Sequence, residues 1–333
     1  TTAVTTVTAT DADLPAQTLT YSLAGGADLA RFSIDTNTGA LSFVSAPDYE
    51  APTDANTDNV YDLIVQVSDG GLTASQTLAI HVTPVNDNAP VITSNGGGAS
   101  ATINVAENTS AVTNVTATDA DLPSQTLTFI LAGGADMARF SIDTNTGALS
   151  FIAAPDYELP ADANTDNVYD LIVQVSDGSL TASQTLAIHV TPVNDNSPVI
   201  TSNGGGSSAT INVAENTSAV TNVTATDADL PAQTLTYSLA GGADVARFSI
   251  DANTGALSFV SAPDYEAPTD ANTDNVYDLI VQVSDGSLTA SQTLAIHVTP
   301  VNDNSPVITS NGGGSSATIN VAENTTAVTT VTA

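Results

Sequence analysis

The chain repeats itself every 108 residues, and that period constrains its fold more than any single motif. "DADLP" stands at Asp11, Asp119 and Asp227; "PDYE" at Pro47, Pro155 and Pro263; "VSDG" at Val67, Val175 and Val283; "AENT" at Ala106, Ala214 and Ala322. A unit this long exceeds a solenoid repeat and suits a domain with its own core, so the sequence predicts separate beads rather than a stacked superhelix. The landmarks divide the chain into 1–88, a copy lacking its first strand; 89–196 and 197–304, two complete copies; and 305–333, the first strands of a further copy. "TTAVTTVTA" opens the chain at Thr1 and closes it at Ala333. Two readings of that phase follow. The favoured one is a segment of a longer run of the same repeat. In the other, the C-terminal strand completes the first copy of a neighbouring molecule, although both partners would then carry the nine duplicated residues.

Within a copy, alternation and turn residues place seven strands. They are "TINVAE" from Thr102, "AVTNVTAT" from Ala111, "TLTFIL" from Thr126, "RFSID" from Arg139, "ALSFI" from Ala148, "VYDLIVQVS" from Val168 and "QTLAIHVT" from Gln184. Seven short Thr- and Val-rich strands in about 100 residues predict an all-β fold: tandem seven-stranded, immunoglobulin-like Greek-key β-sandwiches, antiparallel and arranged end to end. His81, His189 and His297 alternate with Leu, Ile and Val on the last strand and should point outward.

Charge narrows the partners. Three Lys plus Arg against 36 Asp plus Glu give a net charge of −33, which argues against nucleic acid and anionic lipid. The absence of Cys excludes a disulfide framework and thiol chemistry. No apolar run approaches the length of a membrane-spanning helix, so no direct membrane insertion is expected of this segment.

The acidic motifs recur in one order: "AEN", "DAD", "DYE", "SDG" and "VNDN". That order resembles a cadherin repeat, in the form common in bacterial surface proteins, over essentially the whole chain. The resemblance implies Ca²⁺ clusters built at each junction from two successive domains and the linker between them, since a hard cation needs six to eight oxygens and no single loop here holds enough. The complete set it implies is Glu107, Asp156 and Glu158 from one copy, Asn194, Asp195 and Asn196 from the linker, and Asp227, Asp229 and Asp285 from the next. The junction before it comprises Asp48, Glu50, Asn86, Asp87, Asn88, Asp119, Asp121 and Asp177, without a first Glu. The one after it comprises Glu215, Asp264, Glu266, Asn302, Asp303 and Asn304, and Asp11, Asp13 and Asp69 form the corresponding half-set of the first copy. Pro84, Pro192 and Pro300 stand where the family opens its linker motif with Asp, which removes a carboxylate from each cluster and leaves the count open between two and three ions.

A separate candidate is "DANTDNVYD" from Asp54, whose spacing fits a compact calcium loop with Asn59 at the sharp turn. Its ligands would be Asp54, Asn56, Asp58 and Asp62, with Asp162, Asn164, Asp166 and Asp170, and Asp270, Asn272, Asp274 and Asp278 in the other copies. A solvated acidic loop is the competing reading. No recurring nucleophile, base and orienting acid points to catalysis, so the chain is not read as an enzyme.

The function expected is a calcium-rigidified structural repeat of a long extracellular or cell-surface protein or fibre, an adhesin stalk or filament. Its partners would be neighbouring repeats of the same chain through calcium, and like chains in a fibre. The alternative is a carbohydrate-binding or spacer module of a secreted multidomain enzyme. Sugar platforms favour exposed aromatics, and the chain has no Trp.

Overall fold

A computed structural model describes residues 2–333. The first copy contributes β1 (Thr2–Thr6), β2 (Thr20–Gly25), β3 (Phe32–Ile34), β4 (Ala40–Phe43), β5 (Val60–Ser68) and β6 (Thr73–His81). They form two sheets, ordered β1-β4-β3 and β2-β5-β6.

The second copy adds β7 (Val91–Ile92), β8 (Ser100–Ala106), β9 (Ala111–Asn114), β10 (Ala117–Thr118), β11 (Thr128–Gly133), β12 (Phe140–Ile142), β13 (Ala148–Phe151), β14 (Val168–Ser176) and β15 (Thr181–Thr191). Here a four-stranded sheet, β11-β14-β15-β8, faces a three-stranded sheet, β12-β13-β9, and β7 pairs β10 alongside. The third copy repeats this with β16 (Val199–Ile200), β17 (Ser208–Ala214), β18 (Ala219–Asn222), β19 (Ala225–Thr226), β20 (Thr236–Gly241), β21 (Phe248–Ile250), β22 (Ala256–Phe259), β23 (Val276–Ser284) and β24 (Thr289–Thr299). The chain divides into two compact units, one reaching to Pro192 and the other Val193–Ala333.

Alternation builds the core as the sequence predicts. On β14, Tyr169, Leu171, Val173 and Val175 point inward, and on β15 Leu186, Ile188 and Val190 meet them, each at 5% exposure or less. The opposite sheet supplies Phe140, Leu149 and Phe151. Phe140 and Phe151 lie 4.4 Å apart, and Tyr169 stands edge-on to Phe151 at 5.1 Å. Such pairs add about 0.5–1.5 kcal/mol beyond burial. The β12–β13 hairpin turns on Asp143, whose Oδ1 accepts from the N–H groups of Asn145 and Thr146 at 3.0 and 2.8 Å. It closes on Gly147 at φ +74°, where a Cβ would stand 2.1 Å from the Val115 carbonyl oxygen.

Three features depart from the sequence reading. "AVTNVTAT" is not one strand: β9 pairs β13 while β10 pairs β7, in different sheets. The break falls at Val115, fully buried, whose N–H donates to the Gly147 carbonyl at 2.8 Å. β7 and β16 fall in the linker region, where two residues between polar turns carry no periodicity to detect. The third departure concerns direction. β8 runs parallel to β15, from Ser100 opposite Thr185 to Ala106 opposite Thr191, and β17 does the same beside β24. A copy that takes the chain in at one end and releases it at the other must run its first and last strands the same way.

Residues 305–333 form no ladder strand. They hold a local contact instead, in which Thr309 N–H donates to the Thr332 carbonyl at 3.0 Å and Thr329 Oγ1 donates to Asn311 Oδ1 at 3.2 Å.

Candidate metal centre

The first junction lies within the first unit and brings together carboxylates far apart in sequence. Oxygens of Glu50, Asp87 and Asp121 lie within 4.8 Å of one another, and so do oxygens of Asp119, Asp121 and Asp177. Asp121 is common to both groups and is 1% exposed. Glu50, Asp119, Asp121 and Asp177 are aimed by backbone donors, while Asp87 Oδ1 accepts from the Asn88 side-chain amide at 3.1 Å. Asp119 Oδ1 accepts from Asp121 N–H at 3.0 Å, and Glu50 Oε1 from Leu122 N–H at 3.0 Å. Asp121 Oδ1 accepts from the backbone and side-chain nitrogens of Asn88 at 3.1 and 2.7 Å. Asp177 Oδ1 accepts from Ser179 and Leu180 N–H groups, both at 2.7 Å, and Asp48 Oδ1 caps the turn at Glu50 and Ala51.

The remaining oxygens test whether a cation fits. Asn86 Oδ1, Asp119 Oδ2 and Asp177 Oδ2 are buried with no hydrogen-bond partner. Buried acceptors without donors are costly, and carboxylates converging within 4.8 Å repel. A hard divalent cation would resolve both costs, and an all-oxygen set is the donor chemistry Ca²⁺ takes. The residues therefore fit the ion. Asn86, Asp87, Glu50, Asp119, Asp121 and Asp177 would hold it, and it would supply positive charge that neutralises and crosslinks them. The Asp177 carboxyl sits below its ordinary value, chiefly because Leu180 N–H donates to it, with Ser179 N–H and the Asn86 amide adding to the effect against a smaller push from burial.

The other predicted residues are placed within their own units. In the first unit, Glu107 is buried, accepts from Tyr157 N–H at 2.7 Å, and brings an oxygen within 4.8 Å of oxygens of Asp156 and Glu158. Asp156 Oδ1 caps the turn through Glu158 and Leu159 N–H groups at 3.0 Å. Asp11, Asp13 and Asp69 converge likewise but more openly, and Leu72 N–H, then Gly71 N–H, hold the Asp69 carboxyl low.

In the second unit, Asp229 Oδ1 accepts from the Asn196 backbone at 3.1 Å and side chain at 2.8 Å, and Asp227 Oδ1 from Asp229 N–H. Asn194 Oδ1, Asp227 Oδ2, Asp229 Oδ2 and Asp285 Oδ2 are buried without a partner. Burial pushes the Asp285 carboxyl up, but the Ser287 and Leu288 N–H groups and the Asn194 amide outweigh it and leave it low. The Asn196 side chain also donates to Asp195 Oδ1 at 2.9 Å. Lower in the third copy, Glu215 accepts from Tyr265 and Val301 N–H groups, and Asp264 Oδ1 from Glu266 N–H. Asn304 Nδ2 reaches Glu266 Oε2 at 3.4 Å, and Asn216 Nδ2 donates to Asp303 Oδ2 at 2.7 Å. Asn302 lies exposed in the same linker.

The "DANTDNVYD" loop is organised by its own backbone. Asp54, 4% exposed, accepts from Asp58 N–H at 2.8 Å and Asn59 N–H at 3.3 Å, and Asn56 Nδ2 donates to Asp58 Oδ2. Asp162, Asn164 and Asp166 repeat this, as do Asp270, Asn272 and Asp274. Asp62, Asp170 and Asp278 use their backbone N–H groups instead, donating at 2.8 Å to Asp28, Asp136 and Asp244.

That last trio was missed by sequence reasoning. Asp28 is 4% exposed, and its second oxygen accepts from Ala55 N–H at 2.7 Å, tying the acidic loop to the sheet. Its signal was the recurring "GGAD", which contains only one carboxylate and no metal spacing.

With this geometry in place, comparison with known proteins gives the family. The Cadherin domain profile matches residues 1–83, 101–191 and 209–299. The chain belongs to the cadherin family. Among curated cadherin-family relatives, it is 33% identical over 335 residues to mouse Cadherin EGF LAG seven-pass G-type receptor 2, covering 98% of this chain and 11% of that protein. It is 32% identical over 316 residues to human Protocadherin Fat 1, covering 90% of this chain and 6% of that protein. The chain thus spans about a tenth or less of the length of these cadherins. Mouse Cadherin-23 EC22-24 has the same fold, with a TM-score of 0.60 at 23% identity over 90% of this chain and 92% of that one. The Protocadherin gammaB7 EC3-6 cis-dimer structure gives 0.59 at 26% identity over 84% and 68%. These cadherins are adhesion proteins rather than enzymes, and the relatives named with an organism are mouse and human, not bacterial. Cadherin membership agrees with the extracellular or cell-surface location expected. No helix among the described residues is long and apolar enough to cross a membrane.

Proposed function

We propose that the chain is a calcium-rigidified structural segment of a long extracellular surface protein or fibre, divided functionally at 1–88, 89–196, 197–304 and 305–333. The observation that carries this reading is the set of partnerless buried oxygens at the first junction, Asn86 Oδ1, Asp119 Oδ2 and Asp177 Oδ2, beside the shared Asp121. Calcium there favours one arrangement of the linker over many, and without it carboxylate repulsion favours separation. Extracellular modules bind calcium at about 10⁻⁴ to 10⁻³ M, so the segment is stiff outside a cell and loosens in chelator. The bacterial surface setting rests on the order of the motifs alone.

Titration calorimetry tests the ion, and small-angle scattering with and without chelator tests the stiffening. The expected result is millimolar-range binding heat, reduced in Asp121→Ala, with a longer maximum dimension in calcium. Absence of binding at about 10 mM calcium, an order of magnitude above that range, defeats the reading.

A further inference from the structure

The two complete copies, 89–196 and 197–304, differ at 11 positions, and four of those line one cavity. Ile152, Ala153, Leu159 and Ala161 stand where the third copy has Val260, Ser261, Ala267 and Thr269, and the first copy agrees with the third in type at all four. The changes enlarge two apolar side chains and delete two hydroxyls. The cavity holds about 190 Å³ and takes in Arg139 and the loop that follows β13. That is close to the roughly 150 Å³ that accepts one benzene ring. Ile152 and Leu159 are 68% and 75% exposed, so an apolar occupant packed on them removes their surface from water. The corresponding cavities of the first and third copies, about 110 and 330 Å³, keep the serine and threonine hydroxyls.

The missing threonine hydroxyl leaves a buried donor without a partner. In the third copy the Thr269 and Tyr277 hydroxyls hydrogen-bond at 3.2 Å, and Thr53 and Tyr61 do the same in the first. Ala161 cannot reproduce that bond. Tyr169 is 2% exposed and lines the cavity; its hydroxyl oxygen accepts from Ala161 N–H at 3.3 Å, while its own hydrogen meets no acceptor among the described residues. A buried O–H left unpaired is costly unless an occupant brings an acceptor. The second polar group in the wall is Arg139, the one Lys or Arg of its copy. Its guanidinium forms no ion pair among the described residues, in a chain with 36 Asp plus Glu. Asp156 also lines the cavity, but its Oδ1 is engaged by Glu158 and Leu159 N–H groups at 3.0 Å.

We propose that this cavity of the second copy binds a small monocarboxylate whose body is one ring or a short branched chain. The carboxylate accepts from the Tyr169 hydroxyl and pairs with Arg139, and the apolar body packs on Phe151, Ile152 and Leu159. A charged acceptor suits this wall because hydrogen bonds to ionised groups are the stronger ones. The occupant carries one negative charge and not two, since Asp156 repels the second. The first and third copies do not share the site. Their tyrosine hydroxyls already have Thr53 and Thr269, and their walls carry the smaller Ala51 and Ala267. The site stands apart from the calcium reading, because no ion is needed for either polar contact.

Benzoate titrated into the full chain tests this, in chelator so that no metal bridges benzoate to Asp156. The readout is the methyl NMR signal of Ile152, which reports on the second copy alone because its counterparts are Val44 and Val260. A saturable shift at Ile152 with a Kd of about 1 mM or tighter is expected, with Val44 and Val260 unmoved. Benzamide, of the same shape without the charge, should bind about tenfold more weakly. Arg139→Gln changes an exposed side chain, and Tyr169→Phe keeps the ring; each should weaken benzoate about tenfold, the scale of a lost hydrogen bond to a charged group. Ala161→Thr installs the residue that the other copies carry, so the fold tolerates it, and it should weaken binding about threefold or more by occupying the Tyr169 hydroxyl. No saturation by about 10 mM, a decade above the expected Kd, overturns the proposal. So does benzamide as tight as benzoate, a parallel shift at Val44 or Val260, or any of the three variants within about twofold of the parent.

Discussion

The first and second copies carry nearly the same sequence and differ in how much of it they bury. Among the described residues, the second copy's core cluster holds 14 buried apolar residues and the first copy's holds six. The aromatic trio is the same in both, with Phe32 and Phe43 at 4.5 Å repeating Phe140 and Phe151 at 4.4 Å. What differs is that residues 1–88 carry no counterpart of β7 and β8, so the side those strands close in the second copy is open in the first. The 11-residue strand Thr181–Thr191 shortens to nine residues, Thr73–His81, on the same sequence. One seven-residue strand therefore decides whether its neighbour is core or edge. Its ladder fixes the last two residues, and its apolar face excludes water from Leu186 and Ile188.

Substitutions can sharpen or break that contrast. The largest effect should not discriminate at all. Phe43→Ala and Phe151→Ala each remove a ring from an intact trio and should cost about 3–5 kcal/mol, read as lost hydrogen-exchange protection in the copy concerned. Unequal losses would mean that the first copy is loosened throughout and not only along β6.

Next comes the pair that should differ most. Leu186→Ala should cost about 2–5 kcal/mol, and Leu78→Ala about 1 kcal/mol or less, by the same measurement at low micromolar concentration. Equal costs would show that β6 is covered after all. Gln184→Ala should cost about 1–3 kcal/mol because it strands the Gly98 carbonyl, while Gln76→Ala stays within about 0.5 kcal/mol.

The smallest effect is acidification. Leu180 and Leu72 N–H groups hold the Asp177 and Asp69 carboxyls low in the folded chain. A depressed folded value contributes stability that is complete above the unfolded value of about 3.9 and is lost as pH falls through the folded one. Metal-free protein should thus lose protection below about pH 4 in both loops together, by exchange at Leu72 and Leu180. Loss in only one loop would tie the effect to β8 and not to the turn.

Much of this was legible beforehand because it is local or periodic. Alternating residues such as Tyr169, Leu171, Val173 and Val175 can bury one face in only one way, and turns such as "DTNTG" from Asp143 need no distant partner. The acidic motifs were legible through their order, and the structure brings Glu50, Asp87 and Asp121 together although 71 residues separate the outer two. The "GGAD" aspartates were not, because Asp28 matters only through the backbone N–H groups of Ala55 and Asp62, and a backbone donor leaves no mark in composition.

By itself the sequence determined the period, the strand-forming stretches, the acidic stations and the all-β class, each set by alternation, turn chemistry or self-similarity along the chain. Only the tertiary structure decided that β8 runs parallel to β15 and that Val115 breaks a strand between two sheets. Those outcomes depend on which segment lies alongside in space, and a stretch such as "AVTNVTAT" cannot encode by alternation alone which of two sheets each of its halves will join.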